Sequence, residues 1–342
     1  VDKKTMKFNI TLLLALFIFG NGIILAQHSV VGSVFDEETK EPLEGVSVFY
    51  DGTSIGTITD EKGTFTLISG KPISASLVIS FIGYTSQLFE NASGGLGAVY
   101  LKENAVQLNE IVLKPDTWSR EKKLNIFRRE FLGISTAGLN CKIKNEDDIR
   151  LYYNQEKNSL YAYAEVPIMI ENKYLDYLIR YNLYDFEVNF GIRNTDLFNP
   201  RSSYTAGTLF FSELHPKKTK KRYLKRRRES FLGSPVHFMR SLSEKKLQEE
   251  KFKIFKGSFE VDPYSEFRVT YTDEITTVIQ RTKKLAILYD GSEQSSIDLK
   301  QPTFYIDAYG NHNPIRDVLF SGVFGAQRVG DLVPLDYVVE GR

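Results

Sequence analysis

Apolar and polar positions alternate along this chain in a way that changes twice. From Val31 to Tyr84, short runs rich in Val, Ile, Thr, Phe and Tyr are broken by turn residues. Val31–Phe35, Val46–Tyr50, Ile55–Thr59, Thr64–Leu67 and Ser76–Phe81 are expected as strands, because these side chains suit a half-buried pleated surface. Between them stand Glu41-Pro42, Asp51-Gly52, Asp60–Gly63 and Gly70–Pro72, where Gly supplies positive φ and Pro pre-sets a turn. Strands of this length with no helical period predict a small antiparallel sandwich. A loop over Asn91–Gly97 and a last strand, Ala98–Leu101, complete it.

The pattern then turns helical. Trp118, Leu124, Phe127, Phe131 and Leu132 recur at helical spacing, which predicts an amphipathic linker helix over 116–133, packed on the second domain with its basic residues outward; a partner-binding helix is the alternative. Strand chemistry returns at Ile149–Phe190, as IRLYYN, SLYAYAEVPIMIEN and YLIRYNLYDFEVNF, and again at Tyr204–Phe211. The alternation in Leu160–Ala164 and Tyr181–Phe190 predicts long antiparallel strands with one wet face. Their Tyr and Phe residues are expected mainly as core and cross-strand pairs; a sugar-stacking platform is the alternative. From Phe252 onward the strand pattern resumes (FKIFKGSFEV, FRVTYT, TTVIQR, KLAILYD, TFYIDAYG), with turns at Asp290-Gly291 and Tyr309–Asn311. The fold class expected is therefore mainly β: a sandwich over 27–115, the helix, and a second β-rich domain over 134–342.

One stretch interrupts that second region. Lys217, Lys218, Lys220, Lys221, Arg222, Lys225, Arg226, Arg227 and Arg228 fall within twelve residues. Such a run suits phosphates, lipid headgroups or an acidic partner, and a solvated helix face is the plainer reading. These nine residues are the candidate contacts for an anionic partner. Phe231, Val236, Phe238, Met239 and Leu242 continue as an apolar stripe, and Ser234-Pro235 is placed to cap and start a second helix. Together they predict a basic helical insertion near 213–250.

Charge and composition narrow the picture. Lys and Arg number 44 against 43 Asp and Glu, so there is no global pull toward nucleic acid, and none is expected as a partner. Lys3, Lys4 and Lys7, the apolar run Ile10–Phe19 and the small residue Ala26 predict a secretory signal peptide over 1–26. The run is short for a membrane span, which needs roughly 20 residues, so the mature chain is expected in the periplasm or at the outer membrane without crossing it. Cys141 is the single cysteine. With no second thiol to pair and no neighbouring His to activate it, it is expected as a small buried hydrophobe.

Gly32, Val34, Asp36, Thr39, Glu41–Leu43, Gly45, Val46, Val48, Gly52, Thr53, Gly56, Thr57, Thr59, Asp60, Gly63, Phe65, Leu67 and Ile82–Tyr84 form an ordered pattern. It resembles the carboxypeptidase D regulatory-like domain. That resemblance implies a seven-stranded, transthyretin-like Greek-key sandwich of a kind common in Bacteroidetes envelope proteins. Such domains often stand ahead of the plug of TonB-dependent transporters, where a strand similar to Val106–Leu113 leads into the plug. The family's regulatory domain is not its peptidase. The later patterns Phe131–Asn145, Gly233–Leu242 and Asp331–Tyr337 are similar to Bacteroidetes proteins carrying this domain, a likeness that implies architecture and setting.

Catalytic constellations can be sought directly. A zinc carboxypeptidase needs H-x-x-E and a distant His, and none of His28, His215, His237 and His312 has Glu at that spacing. No H-E-x-x-H, nucleophile elbow or phosphate-cradling loop is present. Asp147-Asp148 and the pair Asp331 and Asp336 are the remaining acid–base candidates, explained more simply as turns and caps. The expectation is a non-catalytic, cofactor-free envelope module that binds a protein or glycan. A carbohydrate-binding accessory of a TonB-dependent uptake system and a hydrolase with dispersed carboxylates are the alternatives.

Overall fold

A computed structural model describes residues 28–103, 118–191, 200–217, 219–272 and 275–339. The leader expected over 1–26, the strand expected at Val106–Leu113 and Lys218 lie outside the described residues.

Seven strands build the N-terminal sandwich: β1 (His28–Asp36), β2 (Ser47–Tyr50), β3 (Gly56–Ile58), β4 (Thr64–Ser69), β5 (Leu77–Ser80), β6 (Gln87–Phe89) and β7 (Gly94–Leu101). They form two sheets, β4-β1-β7 and β3-β2-β5-β6. β4 alternates exposed and buried positions without a break, so one side of the pleat is dry. The inward residues Val34, Val48, Phe65, Leu77, Ile79 and Leu101 meet in one core. Gly94–Gly97, expected as loop, is instead the start of β7, paired parallel to β1 across a register shift at Val31/Gly32. Glycine propensity is overridden there because the β1 edge supplies the backbone partners.

The middle unit has one sheet and one covering helix. Helix α1 (Arg120–Leu132) starts at Ser119, whose hydroxyl accepts from the Lys122 amide at 3.3 Å. A short α2 (Thr136–Leu139) follows, then β8 (Cys141–Ile143), β9 (Ile149–Asn154), β10 (Ser159–Ala164), β11 (Ile168–Asn172), β12 (Tyr177–Asn189) and β13 (Ser202–Glu213). The 13-residue β12 organises the sheet: its first half pairs with β11, its last residues with β10, and β13 runs along its other edge. Phe127 and Phe131 of α1 pack on each other and on Phe186 of β12. The helix is thus part of this core, which is the packing on the second region expected of it. Lys123, expected outward, is buried with its Nζ donating to the Leu151 carbonyl at 3.2 Å.

Two helices, α3 (Lys221–Phe231) and α4 (Pro235–Ser243), connect the middle sheet to a third body. This body holds β14 (Phe252–Lys256), β15 (Phe259–Val261), β16 (Phe267–Thr272), β17 (Ile275–Gln280), β18 (Lys284–Tyr289), β19 (Glu293–Leu299), β20 (Thr303–Ile306), β21 (His312–Asn313) and β22 (Val318–Gly322). The sheets β15-β14-β18-β19-β22 and β16-β17-β20-β21 enclose a core of Phe252, Phe267, Ile287, Ile297 and Phe304, to which α4 adds Phe238, Met239 and Leu242. The region expected as one β-rich domain over 134–342 therefore carries two separate cores. The basic segment is the connection between them, where an insertion was expected. Strand periodicity is the same in both bodies, so it carries no sign of the division.

The last described residues form a strap that touches all three bodies. The Asn172 side chain donates to the Gly330 carbonyl at 2.9 Å, and Leu335 donates to the Gly52 carbonyl at 2.8 Å. A Cβ on Gly330 would stand 2.5 Å from the Leu132 carbonyl oxygen and 2.6 Å from the Gly138 Cα, so only glycine permits this approach. Beside the strap, Asp51 is caught between the N-terminal sandwich and β13, accepting from the Leu209 amide at 2.7 Å.

Burial pushes the Asp51 carboxyl from its ordinary 3.8 up to about 6. The sign follows: below pH 4 the group is neutral whether the chain is folded or not, and folding carries no penalty. As pH rises from 4 to 6, the unfolded chain ionises while the folded chain resists, so stability falls over that window and is flat above it. Asp51→Asn keeps an acceptor for Leu209 and removes the charge. Urea melts across pH 4–7 are expected to show the loss flattened in the variant, with a gain at pH 7 of about 1–3 kcal/mol.

Candidate functional site

The groups with reactive chemistry have structural partners. Cys141 lies at the start of β8, half-buried, with its Sγ 3.4 Å from the Ala137 carbonyl, and burial pushes its thiol up to about 12. At that value the thiolate, the nucleophilic form, is scarcely populated near neutral pH. His237 is buried in α4: its Nδ1 accepts from the Gly233 amide at 3.0 Å and its Nε2 lies 3.2 Å from Glu250. His215 Nδ1 is 2.6 Å from Asp176, and desolvation holds His312 neutral, its pKa lowered to about 4. Among the described residues no group of three or more His, Cys, Asp and Glu is placed to hold a metal.

The motif residues meet around the strap. Asp331 bonds the Ser135 hydroxyl and accepts from the Arg328 amide at 3.0 Å, while Asp336 accepts from the Ser54 amide at 2.7 Å and its hydroxyl at 2.5 Å. Each carboxylate is thus engaged by its own structural partners, Ser135 and Arg328 for Asp331 and Ser54 for Asp336. Asp147 and Asp148 lie in one 3₁₀ turn. Ser234 caps α4 by accepting from the His237 amide at 3.1 Å. Arg240, one turn further, donates to the carbonyls of Tyr309 (2.8 Å), Tyr337 (2.7 Å) and Leu335. Its planar fork suits this: three carbonyls from two segments are gathered by one guanidinium. These patterns are the ties of the architecture.

Helix α3 sorts the basic run into two sets. Tyr223, Arg227 and Phe231 fall at i, i+4 and i+8 and are buried. The Arg227 guanidinium makes a two-armed bond to Glu213, each arm 2.7 Å, and donates to the Leu175 and Asp176 carbonyls at 2.7 and 3.0 Å. It also lies 3.8 Å over the Tyr177 ring. Arg226 stacks on Tyr174 at 4.2 Å. Arg227, one of the nine expected partner contacts, is therefore corrected to a structural residue, and Arg226 is half-withdrawn. Reversing charge through this stretch cannot leave stability unaltered, because one of its cations is inside. Lys217, Lys220, Lys221, Arg222, Lys225 and Arg228 remain exposed.

A second surface emerges on the middle sheet. Across four strands, Tyr152 of β9 is opposite Tyr161 of β10, Tyr161 is opposite Glu187 of β12, and Glu187 is opposite Tyr204 of β13. This row faces away from α1, because the alternate residues Tyr153, Leu160 and Val188 point into the core. Tyr163 and Arg150 sit one step along, Asn154, Ser159, Asn189 and Ser202 one step back. The break in register between Leu183 and Asp185 turns Tyr184 onto the same face, its hydroxyl 3.1 Å from Thr208 Oγ1. Tyr163, Tyr184 and Tyr204 are 42%, 48% and 50% exposed, and Tyr161 donates to Glu187 at 3.0 Å. The other end of this face is closed by the N-terminal sandwich, through Phe210 against Phe49 at 5.2 Å and Arg180 on Ser47. What stays open among the described residues is a field of tyrosines with carboxylates and amides between them. Alternation in Leu160–Ala164 carries its signal, since Tyr161 and Tyr163 share one face and Leu160, Ala162 and Ala164 the other.

Residues 30–113 match the family model described as the CarboxypepD_reg-like domain. The N-terminal sandwich is such a domain, as its sequence pattern implies. TonB-dependent receptor SusC of Bacteroides thetaiotaomicron is 34% identical over 113 residues, 33% of this chain and 11% of the receptor. A second TonB-dependent receptor, from Formosa agariphila, is 34% identical over 110 residues, 32% of this chain and 10% of the receptor. The chain thus spans about a tenth of the length of these curated relatives. A cohesin–X-dockerin complex from Acetivibrio cellulolyticus aligns at 20% identity over 21% of this chain and 56% of its own, with a TM-score of 0.20, too low to bear on the fold. No described helix is long and apolar enough to cross a membrane.

Proposed function

We propose that this chain is a non-catalytic module of the cell envelope that binds a glycan on the tyrosine face of its middle sheet. The row Tyr152–Tyr161–Glu187–Tyr204 carries the reading. A pyranose ring has one face of C–H groups and a rim of hydroxyls. The first suits a tyrosine ring, which is rigid and amphipathic; the second needs carboxylate and amide acceptors. Both are present here at adjacent strand positions, at the end of the face away from the N-terminal sandwich and opposite α1. The likeness of the N-terminal domain to TonB-dependent receptors supports the envelope setting.

The test is a glycan array probed with the wild-type chain and with a Tyr161→Ala/Tyr204→Ala double variant. Aromatic contacts contribute about 0.5–1.5 kcal/mol each, so affinity for any glycan bound is expected to fall roughly 5- to 150-fold with the melting temperature little changed. A glycan bound equally by both proteins would place its site elsewhere.

A further inference from the structure

We propose that the outward face of α3 docks this protein onto a surface of anionic lipid headgroups. The proposal stands apart from the glycan reading, since it uses other residues. Six cations, Lys217, Lys220, Lys221, Arg222, Lys225 and Arg228, are exposed on α3 and the segment leading into it. Among the described residues, Lys225 is the one of these with a carboxylate within 4.0 Å, Glu229 at 3.8 Å. The helix is fastened from its other side, by Arg227 in its cage of Glu213, Leu175 and Asp176 and by Arg226 over Tyr174. A cationic face on a fixed support results, its six cations set against the single carboxylate of Glu229.

The chemistry of that face decides between partners. A protein interface concentrates its energy in a desolvated core of aromatic or aliphatic side chains. On α3 every apolar side chain, Tyr223, Leu224 and Phe231, is buried or half-buried, and the fully exposed positions bear Lys, Arg and one Glu. Headgroup phosphates need no apolar anchor. They attract Lys and Arg that stay solvated, and the contributions add along the patch. Charge complementarity without apolar content is what an anionic membrane surface selects.

The placement gives the contact a consequence. α3 lies against the start of β12, at Leu175–Tyr177, while Glu187 and the tyrosine row lie at its other end. Ten strand residues separate the two regions by roughly 30 Å. A chain resting on α3 would hold its tyrosine face away from the lipid, open to a ligand.

The experiment is co-sedimentation of the full chain with vesicles of phosphatidylcholine alone and with vesicles containing phosphatidylglycerol. The expected result is partitioning to the anionic vesicles, weakened by salt. Each cation is expected to contribute roughly fivefold, so Lys221→Gln/Lys225→Gln/Arg228→Gln should bind about a hundredfold more weakly, with an unchanged melting temperature. Equal partitioning to both vesicle types would mean that any binding is independent of headgroup charge and overturn the proposal. So would a triple variant that binds as tightly as wild type, or a wild type that ignores both vesicles.

Discussion

Replacing Arg227 by alanine is expected to destabilise the folded chain by about 3 kcal/mol, a large share of the stability of an ordinary domain. Its guanidinium is 4% exposed and satisfies the Leu175 and Asp176 carbonyls as well as both Glu213 oxygens. Truncation leaves the Leu175 carbonyl without its donor, while the Asp176 carbonyl keeps the Leu214 amide at 3.0 Å, and it exposes the Tyr177 ring that the guanidinium covers. Glu213 is partly exposed and can recover water, which keeps the loss below that for a fully buried pair. Arg227→Lys keeps the charge and loses the fork, so an intermediate loss is expected. Lys225→Ala, two positions away and pointing outward, should stay within about 0.5 kcal/mol. Urea unfolding of the three variants checks this. Equal effects at 225 and 227 would contradict the sorting of the basic run into inner and outer sets.

Arg240→Ala is expected to release the C-terminal strap. Three carbonyls, of Tyr309, Leu335 and Tyr337, lose their donor together. Charge-assisted bonds of this kind contribute more than neutral ones, so a loss of about 3 kcal/mol is expected. The local effect is more telling than the global one. Hydrogen exchange at Leu335, which donates to the Gly52 carbonyl, and at Tyr337 should accelerate while core amides of β12 stay protected. Uniform acceleration across all three cores would mean that Arg240 acts on global stability and not on the strap.

How much of this was legible depended on whether the signal was local. The β4 alternation, the Ser234-Pro235 helix start and the strand over 149–154 are written in neighbouring residues, and the structure has them where the pattern places them. The single run over 159–172 is divided into β10 and β11 on either side of β12. Gly94–Gly97 was not legible, because its strand state depends on a β1 edge about sixty residues away in the chain. The inward turn of Arg227 lay half in view. Tyr223, Arg227 and Phe231 fall on one helical stripe, but a lone arginine on that stripe reads as solvated until Glu213 is known to face it. The tyrosine field had the same limit. Period-two alternation separates Tyr161 and Tyr163 from Leu160 and Ala162, yet which face is wet is set by α1, whose packing the strand sequence does not contain. The strap motifs were visible as patterns, and their role as ties appears only when Gly52, Asn172 and Arg240 come together in space.

The central claim is that ligand meets this chain at the open tyrosine face and leaves it chemically unchanged. Hydroxyl-radical footprinting with and without the best array glycan tests this most directly, with the glycan recovered and sized afterwards. The account predicts reduced oxidation at Tyr163 and Tyr204, no change at the exposed Tyr271 and Tyr305 of the third body, and intact glycan. Protection confined to Tyr271 and Tyr305, or a shortened glycan, would contradict it.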